Sequence, residues 1–243
     1  MDNHTQSAIE FKNVSYSVED THILKNITGA FPKGRITTLV GPSGAGKSSL
    51  LKLCNGLASP NDGEIFIDGE PISSFEPAKL RRHVGIALQN APMIKGSVYD
   101  NLSLPLRLQN KQLAEEDAIS FLKRVGLEAE FLHHDSADLS GGQRQKVSIM
   151  RTLINRSKIL LLDEITSALD VNSAKEMEEL ILKINEDLQV TIVWITHDLD
   201  QAKKVGDFTW VLIDGELVEA GPAGLLDHPA NEQVRRFVTG GKS

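Results

Sequence analysis

Residues 41–48 read Gly-Pro-Ser-Gly-Ala-Gly-Lys-Ser, and this stretch decides the fold. It matches the pattern G-x-x-x-x-G-K-[ST] at every fixed position. Residues 36–40 before it are apolar and β-branched, as in a buried strand, and residues 49–54 after it have the pattern of a helix. This order of strand, glycine-rich loop and helix is what a phosphate-binding loop needs. The stretch therefore predicts a nucleoside triphosphate site in an α/β fold.

Each part of the loop has a task in holding phosphate. Glycines let the backbone curl so that successive N–H groups point at phosphate oxygens, and the N-terminus of the following helix adds partial positive charge. Lys47 would reach the β- and γ-phosphates, and the Ser48 hydroxyl would ligate Mg²⁺. We assign the nucleotide contacts of this region to Gly41, Pro42, Ser43, Gly44, Ala45, Gly46, Lys47, Ser48 and Ser49.

The composition indicates a folded protein without a nucleic-acid partner. The chain has 243 residues, 40% of them hydrophobic, and a net charge of −7 with acidic and basic residues interleaved, which argues against a dedicated nucleic-acid surface. Cys54 is the only cysteine, so we expect no intramolecular disulfide and a reducing compartment. No stretch approaches about 18 consecutive apolar residues, and residues 1–5 do not begin a signal peptide. We expect a chain that neither spans a membrane nor is secreted.

Strand and helix patterns predict two kinds of sheet. Alternating patterns over residues 7–18 and 23–31 predict an antiparallel pair, and residues 64–72 read as a short hairpin. Later strand patterns alternate with helical ones, which predicts a mainly parallel sheet covered on both faces. Those strands are expected at residues 84–88, 159–162, 190–195 and 210–213, and the helices between the last three at 173–188 and 199–205.

Helical patterns dominate the region between the strands at residues 84–88 and 159–162, notably over residues 112–125. The predicted fold class is therefore α/β: a mainly parallel sheet, an N-terminal antiparallel β subdomain and an inserted helical subdomain. We predict a single domain over residues 1–243. Its nucleotide-binding core covers 7–88 and 156–222, its helical subdomain 89–155, and its C-terminal helices and flexible tail 223–243.

Two adjacent carboxylates, Asp163 and Glu164, directly follow four apolar residues. In an open α/β sheet, ligands bind at the carboxyl ends of the strands. Asp163 is then positioned to hold Mg²⁺, and Glu164 to polarise the water that attacks the γ-phosphate. A solvated turn is the alternative for an isolated Asp-Glu pair, but the apolar strand and the phosphate-binding loop favour the functional interpretation.

A second glycine-rich stretch, Leu-Ser-Gly-Gly-Gln at residues 139–143, precedes an amphipathic run. Ser140, Gly141, Gly142 and Gln143 thus mark another helix N-terminus and a second candidate anion site. Both glycine-rich stretches can hardly reach one nucleotide within a single chain. Dimerisation would solve this geometric problem.

Taken in order, these motifs resemble those of the ATP-binding-cassette ATPases over essentially the whole chain. The set comprises residues 41–48, Gln89, residues 139–143, Asp163-Glu164, residues 167–170 and His197. Leu-Ser-Gly-Gly-Gln is specific to that family. The resemblance implies a P-loop NTPase core and a head-to-tail homodimer that binds two ATP molecules with Mg²⁺. Each ATP would lie between the phosphate-binding loop of one subunit and residues 140–143 of the other.

The resemblance also implies roles for single residues. Gln89 would contact Mg²⁺ and the attacking water, His197 the γ-phosphate, and Asp170 the dimer interface. The implied catalytic set is Glu164, His197, Gln89 and Lys47, and the implied Mg²⁺ ligands are Ser48, Gln89 and Asp163. Where the family usually stacks an aromatic side chain on adenine, this chain has Val18, and Tyr16 on the same strand face is the alternative.

Two functional classes within this family remain open. Long coiled-coil insertions and a second cassette are absent, which leaves the ATPase subunit of a transporter or a soluble single-cassette ATPase of the iron–sulfur assembly type. The segment between Ala91 and Leu102 is similar to the family region that grips an intracellular helix of a permease. Met93 and Ile94 are its expected apolar contacts, unless they belong to the core.

We therefore expect an ATPase subunit bound peripherally at the cytoplasmic face of the membrane, beside a separate permease. The segment around Glu164 and that around Asp100 most resemble small bacterial cassettes of the iron or metal export type. Phosphate-import cassettes are the next most similar.

Overall fold

The computed structural model describes residues 6–240, which form two β-sheets and the helices around them. The strands are β1 (Ser7–Val18), β2 (Thr21–Pro32), β3 (Ile36–Val40), β4 (Asp62–Ile67), β5 (Glu70–Pro71), β6 (Val84–Ala87), β7 (Ile159–Asp163), β8 (Thr191–Ile195), β9 (Phe208–Ile213) and β10 (Glu216–Pro222). The helices are α1 (Lys47–Cys54), α2 (Pro77–His83), α3 (Val98–Arg107), α4 (Glu115–Arg124), α5 (Gly141–Leu153), α6 (Val171–Leu188), α7 (Leu199–Val205) and α8 (Glu232–Val238).

The six-stranded sheet has the order β10-β9-β3-β8-β7-β6. All its pairings are parallel except that of β10 with β9. In β7, Ile159 and Leu161 pack into one hydrophobic cluster while Leu160 and Leu162 pack into the other. Both faces are buried because the strand is apolar at consecutive positions, and each such side chain contributes about 1.5–3 kcal/mol. The sheet therefore lies between two cores, with the carboxyl ends of its parallel strands at one edge.

The second sheet is antiparallel, with the order β2-β1-β4-β5. It joins the first through an aromatic cluster: the ring centroid of Trp210 in β9 lies 4.4 Å from that of Phe31 and 5.6 Å from that of Phe11. Gly29 permits this contact, since a Cβ there would lie 2.7 Å from the Trp210 ring. The antiparallel subdomain is thus packed directly against the nucleotide-binding sheet, and the α/β fold class is confirmed.

Helices α3, α4 and α5 lie between β6 and β7 and share one hydrophobic cluster with α6 and one face of the sheet. The insertion is therefore packed on the core, not detached from it. The precise domain limits stay a prediction. No helix among residues 6–240 has both the length and the apolar character needed to cross a bilayer.

The structure differs from the sequence-based expectation in a few elements. Helix α2 was not predicted because only one of its residues, Leu80, is buried. Helix α4 begins at Glu115 rather than Gln112: three acidic residues occupy its first turn, where they complement the helix dipole. The chain after β5 turns into a 3-10 helix at Ile72–Ser74. At the C-terminus a 3-10 turn, Ala223–Leu226, precedes α8, and the predicted tail lies mostly outside the described residues.

Candidate active site

The phosphate-binding loop connects β3 to α1, at the carboxyl edge of the parallel sheet. Two of its glycines are required by the backbone. Gly41 has a φ of 147°, and a Cβ there would lie 1.9 Å from the carbonyl oxygen of Leu212. Gly46 has a φ of 93°, and its Cβ would lie 2.7 Å from a methyl group of Leu24. The loop therefore has the curled backbone that the sequence predicts, with α1 starting at Lys47.

Lys47 lies inside this curl. Its Nζ donates hydrogen bonds to the carbonyl oxygens of Gly41 at 2.8 Å and of Pro42 at 2.9 Å. Burial lowers the pKa of Lys47, and the charges of Glu164 and Asp163 oppose that shift. A buried ammonium group is stable only when negatively charged or hydrogen-bond-accepting groups surround it. Its position among the loop carbonyls and beside two carboxylates fits a site for a phosphate–metal complex.

Ser48, the last residue of the phosphate-binding loop, contacts Asp163 at the end of β7. The Ser48 hydroxyl donates to Oδ1 of Asp163 at 3.1 Å. Burial raises the pKa of Asp163, the Ser48 hydrogen bond opposes this, and the nearby charge of Glu164 adds to it. One hydroxyl and one carboxylate oxygen are the hard donors that Mg²⁺ prefers when phosphate oxygens complete its shell. The pair fits the predicted Mg²⁺ site, and residues 6–240 contain no cluster of three or more acidic, His or Cys ligands.

Glu164 and His197 come together from the ends of β7 and β8. Nε2 of His197 lies 2.5 Å from Oε1 of Glu164. Glu164 has a φ of 52°, and its backbone N–H donates to the carbonyl of Ile195 at 3.2 Å. A left-handed conformation at a non-glycine residue carries strain that the surrounding structure must overcome. The carboxylate is thus held in one direction by both its backbone and the imidazole.

Gln89 approaches the same edge from the loop after β6. Its side-chain amide donates to the Ser167 hydroxyl at 2.9 Å, and that hydroxyl donates to the backbone carbonyl of Glu164 at 2.8 Å. The predicted residues Gln89, Glu164 and His197 are therefore connected by one chain of hydrogen bonds. Ser167 is the link, and the sequence interpretation gave it no role of its own.

Gln145 is a further residue that the sequence did not single out. It lies on the inner face of α5, is buried, and its side-chain amide donates to the carbonyls of Leu88 at 3.2 Å and of Gln89. Its Oε1 has no hydrogen-bond partner among the described residues. Gln145 thus fastens the backbone of Gln89 to the helix that begins at the second glycine-rich stretch. Its inward position on α5 was the only sequence signal.

The second glycine-rich stretch forms the N-terminus of α5. The Ser140 hydroxyl accepts from the backbone N–H of Gln143 at 3.2 Å, and the Ser140 N–H donates to the Gln143 side chain at 2.8 Å, which makes a capping box. A Cβ at Gly141 or Gly142 would meet nothing closer than 3.6 Å. No hydrogen bond joins this stretch to the phosphate-binding loop within the part of the chain that the structure describes.

Asp170 has a role within its own chain. It caps α6, accepting from the backbone N–H groups of Asn172 at 3.0 Å and Ser173 at 3.1 Å, and from the Ser173 hydroxyl at 2.6 Å. The Ser173 hydroxyl is the main cause of the lowered pKa of Asp170. Its expected position in a dimer interface stays a prediction. The adenine contact also stays a prediction: Val18 is 49% exposed, while Tyr16 is half-buried against the core.

Asn101 organises the segment that was expected to contact a permease. It is fully buried in α3, and its side chain bonds both the N–H and the carbonyl of Ile94, at 2.9 and 3.1 Å, and the carbonyl of Ser97 at 3.0 Å. Arg151 of α5 donates to Asn101 at 3.2 Å and to the carbonyl of Pro92 at 2.7 Å. Met93 is half-buried against the helical core. The segment between Ala91 and Leu102 is thus pinned to α5.

Comparison with known sequences identifies relatives of this chain. A family model described as "ABC transporter" matches residues 24–167. The chain is 42% identical over 239 residues to a putative ABC transporter ATP-binding protein, YjkB, of Bacillus subtilis, with 96% of this chain and 95% of that protein covered. It is 38% identical over 239 residues to the methionine import ATP-binding protein MetN of Caulobacter vibrioides, with 95% and 72% covered.

Solved structures give the same result. CbiO1 of Clostridium perfringens, part of the ABC transporter complex CbiONQ, has a TM-score of 0.83 and 30% identity, with 96% of this chain and 95% of that chain covered. The ATP-binding cassette MJ0796, as a dimer in a post-hydrolysis state bound to ADP and Pi, has a TM-score of 0.78 and 31% identity, with 88% and 98% covered.

Proposed function

Because the chain belongs to the ABC transporter family, we propose that it is the ATP-hydrolysing subunit of a membrane transporter that acts on a separate permease. It is an ATPase, and ATP and Mg²⁺ are its ligands. One observation carries the proposal furthest: Lys47, Ser48, Asp163, Glu164 and His197 meet at one edge of the parallel sheet.

We propose the following roles for these residues, supported by their contacts. Lys47 and the loop amides would hold the β- and γ-phosphates, and Ser48 with Asp163 would hold Mg²⁺, which neutralises phosphate charge when bound. Glu164 would accept the proton of the attacking water. His197, 2.5 Å from one oxygen of Glu164, would keep that carboxylate directed at the water. Gln89, bonded through Ser167 to the Glu164 backbone, would report on the state of the site to the helical subdomain.

We further propose that two copies pair around two ATP molecules. Gly141 and Gly142 support this because nothing within their own chain requires glycine: both lack positive φ, and a Cβ would fit at either. Glycine costs a helix stability relative to alanine, roughly 0.5–1 kcal/mol per residue in the interior and less in the first turn, where Gly141 and Gly142 lie. A phosphate that approaches the helix start closely would require the absence of side chains at these two positions. The structural neighbour MJ0796 is itself dimeric.

The docking site for the permease is proposed to be an apolar groove between the core and the helical subdomain, here called the docking groove. It has a volume of about 260 Å³ and is lined by Leu57, Ile86, Leu104, Pro105 and Leu108. Leu57 is 54% and Leu108 77% exposed, an unfavourable arrangement for side chains that meet only water. Arg151 lines the groove and also bonds Pro92 and Asn101, so the groove adjoins the segment between Ala91 and Leu102.

This function would bring the chain to the cytoplasmic face of the membrane as a peripheral subunit. The exposed docking groove favours the transporter over a soluble assembly ATPase. Metal export remains a prediction from the sequence resemblance alone. One relative, MetN, is a methionine import protein, so relatives do not share the export direction.

A pull-down tests the proposal. The tagged full-length chain would be recovered in mild detergent from its native cells, alongside the Leu108→Glu variant and a Leu188→Glu control, which changes another exposed leucine outside the docking groove. We expect the original chain and the control to recover a multi-span membrane protein that Leu108→Glu loses, with ATPase activity retained in all three. Recovery of soluble scaffold proteins alone would contradict the transporter function and favour the assembly-ATPase class.

A further inference from the structure

A second groove lies away from the nucleotide, at the amino ends of β7 and β8. We call it the basic groove. It has a volume of about 810 Å³ and runs between α4, the end of α5 and the end of α6. Its floor is apolar, and its residues include Phe121, Met150, Ile184, Leu188 and Val190. Leu188 is 42% exposed, which leaves part of this floor open to solvent. The volume falls in the range of small-molecule sites, about 300–1,000 Å³.

Four cationic side chains surround this floor: Arg124, Arg156, Lys158 and Lys183. One acidic residue, Asp187, lines it as well. The local charge is therefore positive although the whole chain carries −7. Within residues 6–240 no carboxylate lies within 4.0 Å of any of the four cations. The cations thus concentrate around an apolar floor that is partly exposed to solvent.

Helix ends explain only part of this concentration. Arg124 lies in the last turn of α4 and Arg156 just after α5, where positive charge complements the helix dipole. Lys158 instead precedes β7, and Lys183 lies more than a turn before the end of α6. Neither lysine lies in the last turn of a helix, so the helix dipole does not explain their positions. An anion in the groove would account for their position beside the apolar floor.

We propose that the basic groove binds a small amphiphilic anion: an acyl chain on the apolar floor, with a single anionic headgroup held by the cations at the rim. Arg124 or Arg156 can engage a carboxylate with two parallel hydrogen bonds, while Lys158 and Lys183 add point charges. Each methylene group that leaves water contributes about 0.8 kcal/mol when fully buried, so the floor supplies affinity and the rim supplies selectivity for the anion. The site is separate from the ATP site and independent of the transport function proposed above.

Calorimetric titration of the purified full-length chain with monomeric dodecanoate tests this proposal. The variant Arg124→Glu/Lys183→Glu reverses two exposed rim charges, and Lys25→Glu/Lys111→Glu changes the net charge equally at exposed lysines outside the groove. We expect one dodecanoate per chain, at least tenfold weaker binding in the first variant, and binding within twofold of the original in the second. Affinity should fall steadily from dodecanoate to octanoate. Dodecyl phosphate would show which headgroup is preferred at the same site.

Three outcomes would overturn the proposal. Equal weakening in both double variants would mean that only net charge matters. Binding of neutral dodecanol as tightly as dodecanoate would remove the role of the cations. Binding to anionic lipid vesicles without saturable binding of the monomer would assign the surface to a membrane. Circular dichroism of each variant would verify that the fold is retained.

Discussion

Asn101 should stabilise the segment before α3 more than any single exposed contact does. Its fully buried side chain makes three hydrogen bonds to backbone groups of Ile94 and Ser97 and accepts a fourth from Arg151. The variant Asn101→Leu keeps the number and branching of the side-chain heavy atoms but removes all four hydrogen bonds. The N–H of Ile94 would then lose its partner next to an apolar side chain, while the Ile94 carbonyl would keep the Ser136 hydroxyl and Arg151 its bond to Pro92.

The magnitude follows from the number and kind of bonds. Three neutral hydrogen bonds contribute about 0.5–1.5 kcal/mol each, and the one from Arg151 about 1.5–3 kcal/mol. Ile94 is only half-buried, so water can replace some of these bonds. We therefore expect Asn101→Leu to lower the free energy of unfolding by about 3 kcal/mol, which corresponds to a fall in Tm of roughly 6–12 °C for a chain of this size.

Thermal and urea unfolding, followed by circular dichroism, would measure the effect. Asn172→Leu is the matched control, because Asn172 is exposed and its side chain makes no hydrogen bond within the described residues. The control should stay within about 0.5 kcal/mol of the original. A loss below about 1 kcal/mol for Asn101→Leu would refute the view that this side chain holds the segment in place.

Three further changes test single residues of the site. Lys47→Met should weaken ATP binding roughly 10- to 100-fold, since a hydrogen bond to a charged group contributes about 1.5–3 kcal/mol. Titration with a fluorescent nucleotide measures this affinity, and an unchanged affinity would contradict the role of Lys47. Asp163→Asn should raise the Tm of the nucleotide-free chain at pH 8. Burial raises the pKa of Asp163, so its charged form destabilises the fold above that pKa, and thermal scans at falling pH should show the gain disappearing. A gain that persists at low pH would contradict this cause. Gln145→Leu should change the free energy of unfolding by less than about 1 kcal/mol, because the loss of two hydrogen bonds is offset by the removal of a buried oxygen without a partner. The same variant should lower steady-state ATP turnover roughly tenfold, because the backbone of Gln89 is no longer held. Normal turnover would exclude a role of Gln145 in positioning Gln89.

The sequence predicts which residues meet at this edge of the sheet where they lie in contiguous stretches. A strand, the glycine loop and Lys47 are contiguous, and so are the apolar residues of β7 and the pair Asp163-Glu164. Since parallel strands end at one edge, these stretches had to meet there, and His197 at the end of β8 joined them. The capping box of Ser140 and Gln143 is also readable from a Ser three residues before a Gln.

What the sequence could not predict depends on contacts between distant residues. Asn101 and Arg151 are fifty positions apart, and Gln145 bonds backbone carbonyls that precede it by more than fifty. A polar residue at a buried helix position carries no sign of its partner. Helix α2 was missed for another reason: it buries only Leu80, although Glu76 caps it and Pro77 occupies its first turn, which is a typical start.

The most direct test of the central claim is the molar mass, by light scattering after size-exclusion chromatography, of Glu164→Gln with ATP and Mg²⁺. We predict that this variant binds ATP, loses about 10²- to 10⁴-fold in turnover, and elutes as a dimer with ATP but as a monomer with ADP. Adding Ser140→Arg should abolish the dimer while each chain still binds ATP. A Glu164→Gln chain that binds ATP but stays monomeric, or that hydrolyses ATP at the original rate, would contradict the proposed two-chain site.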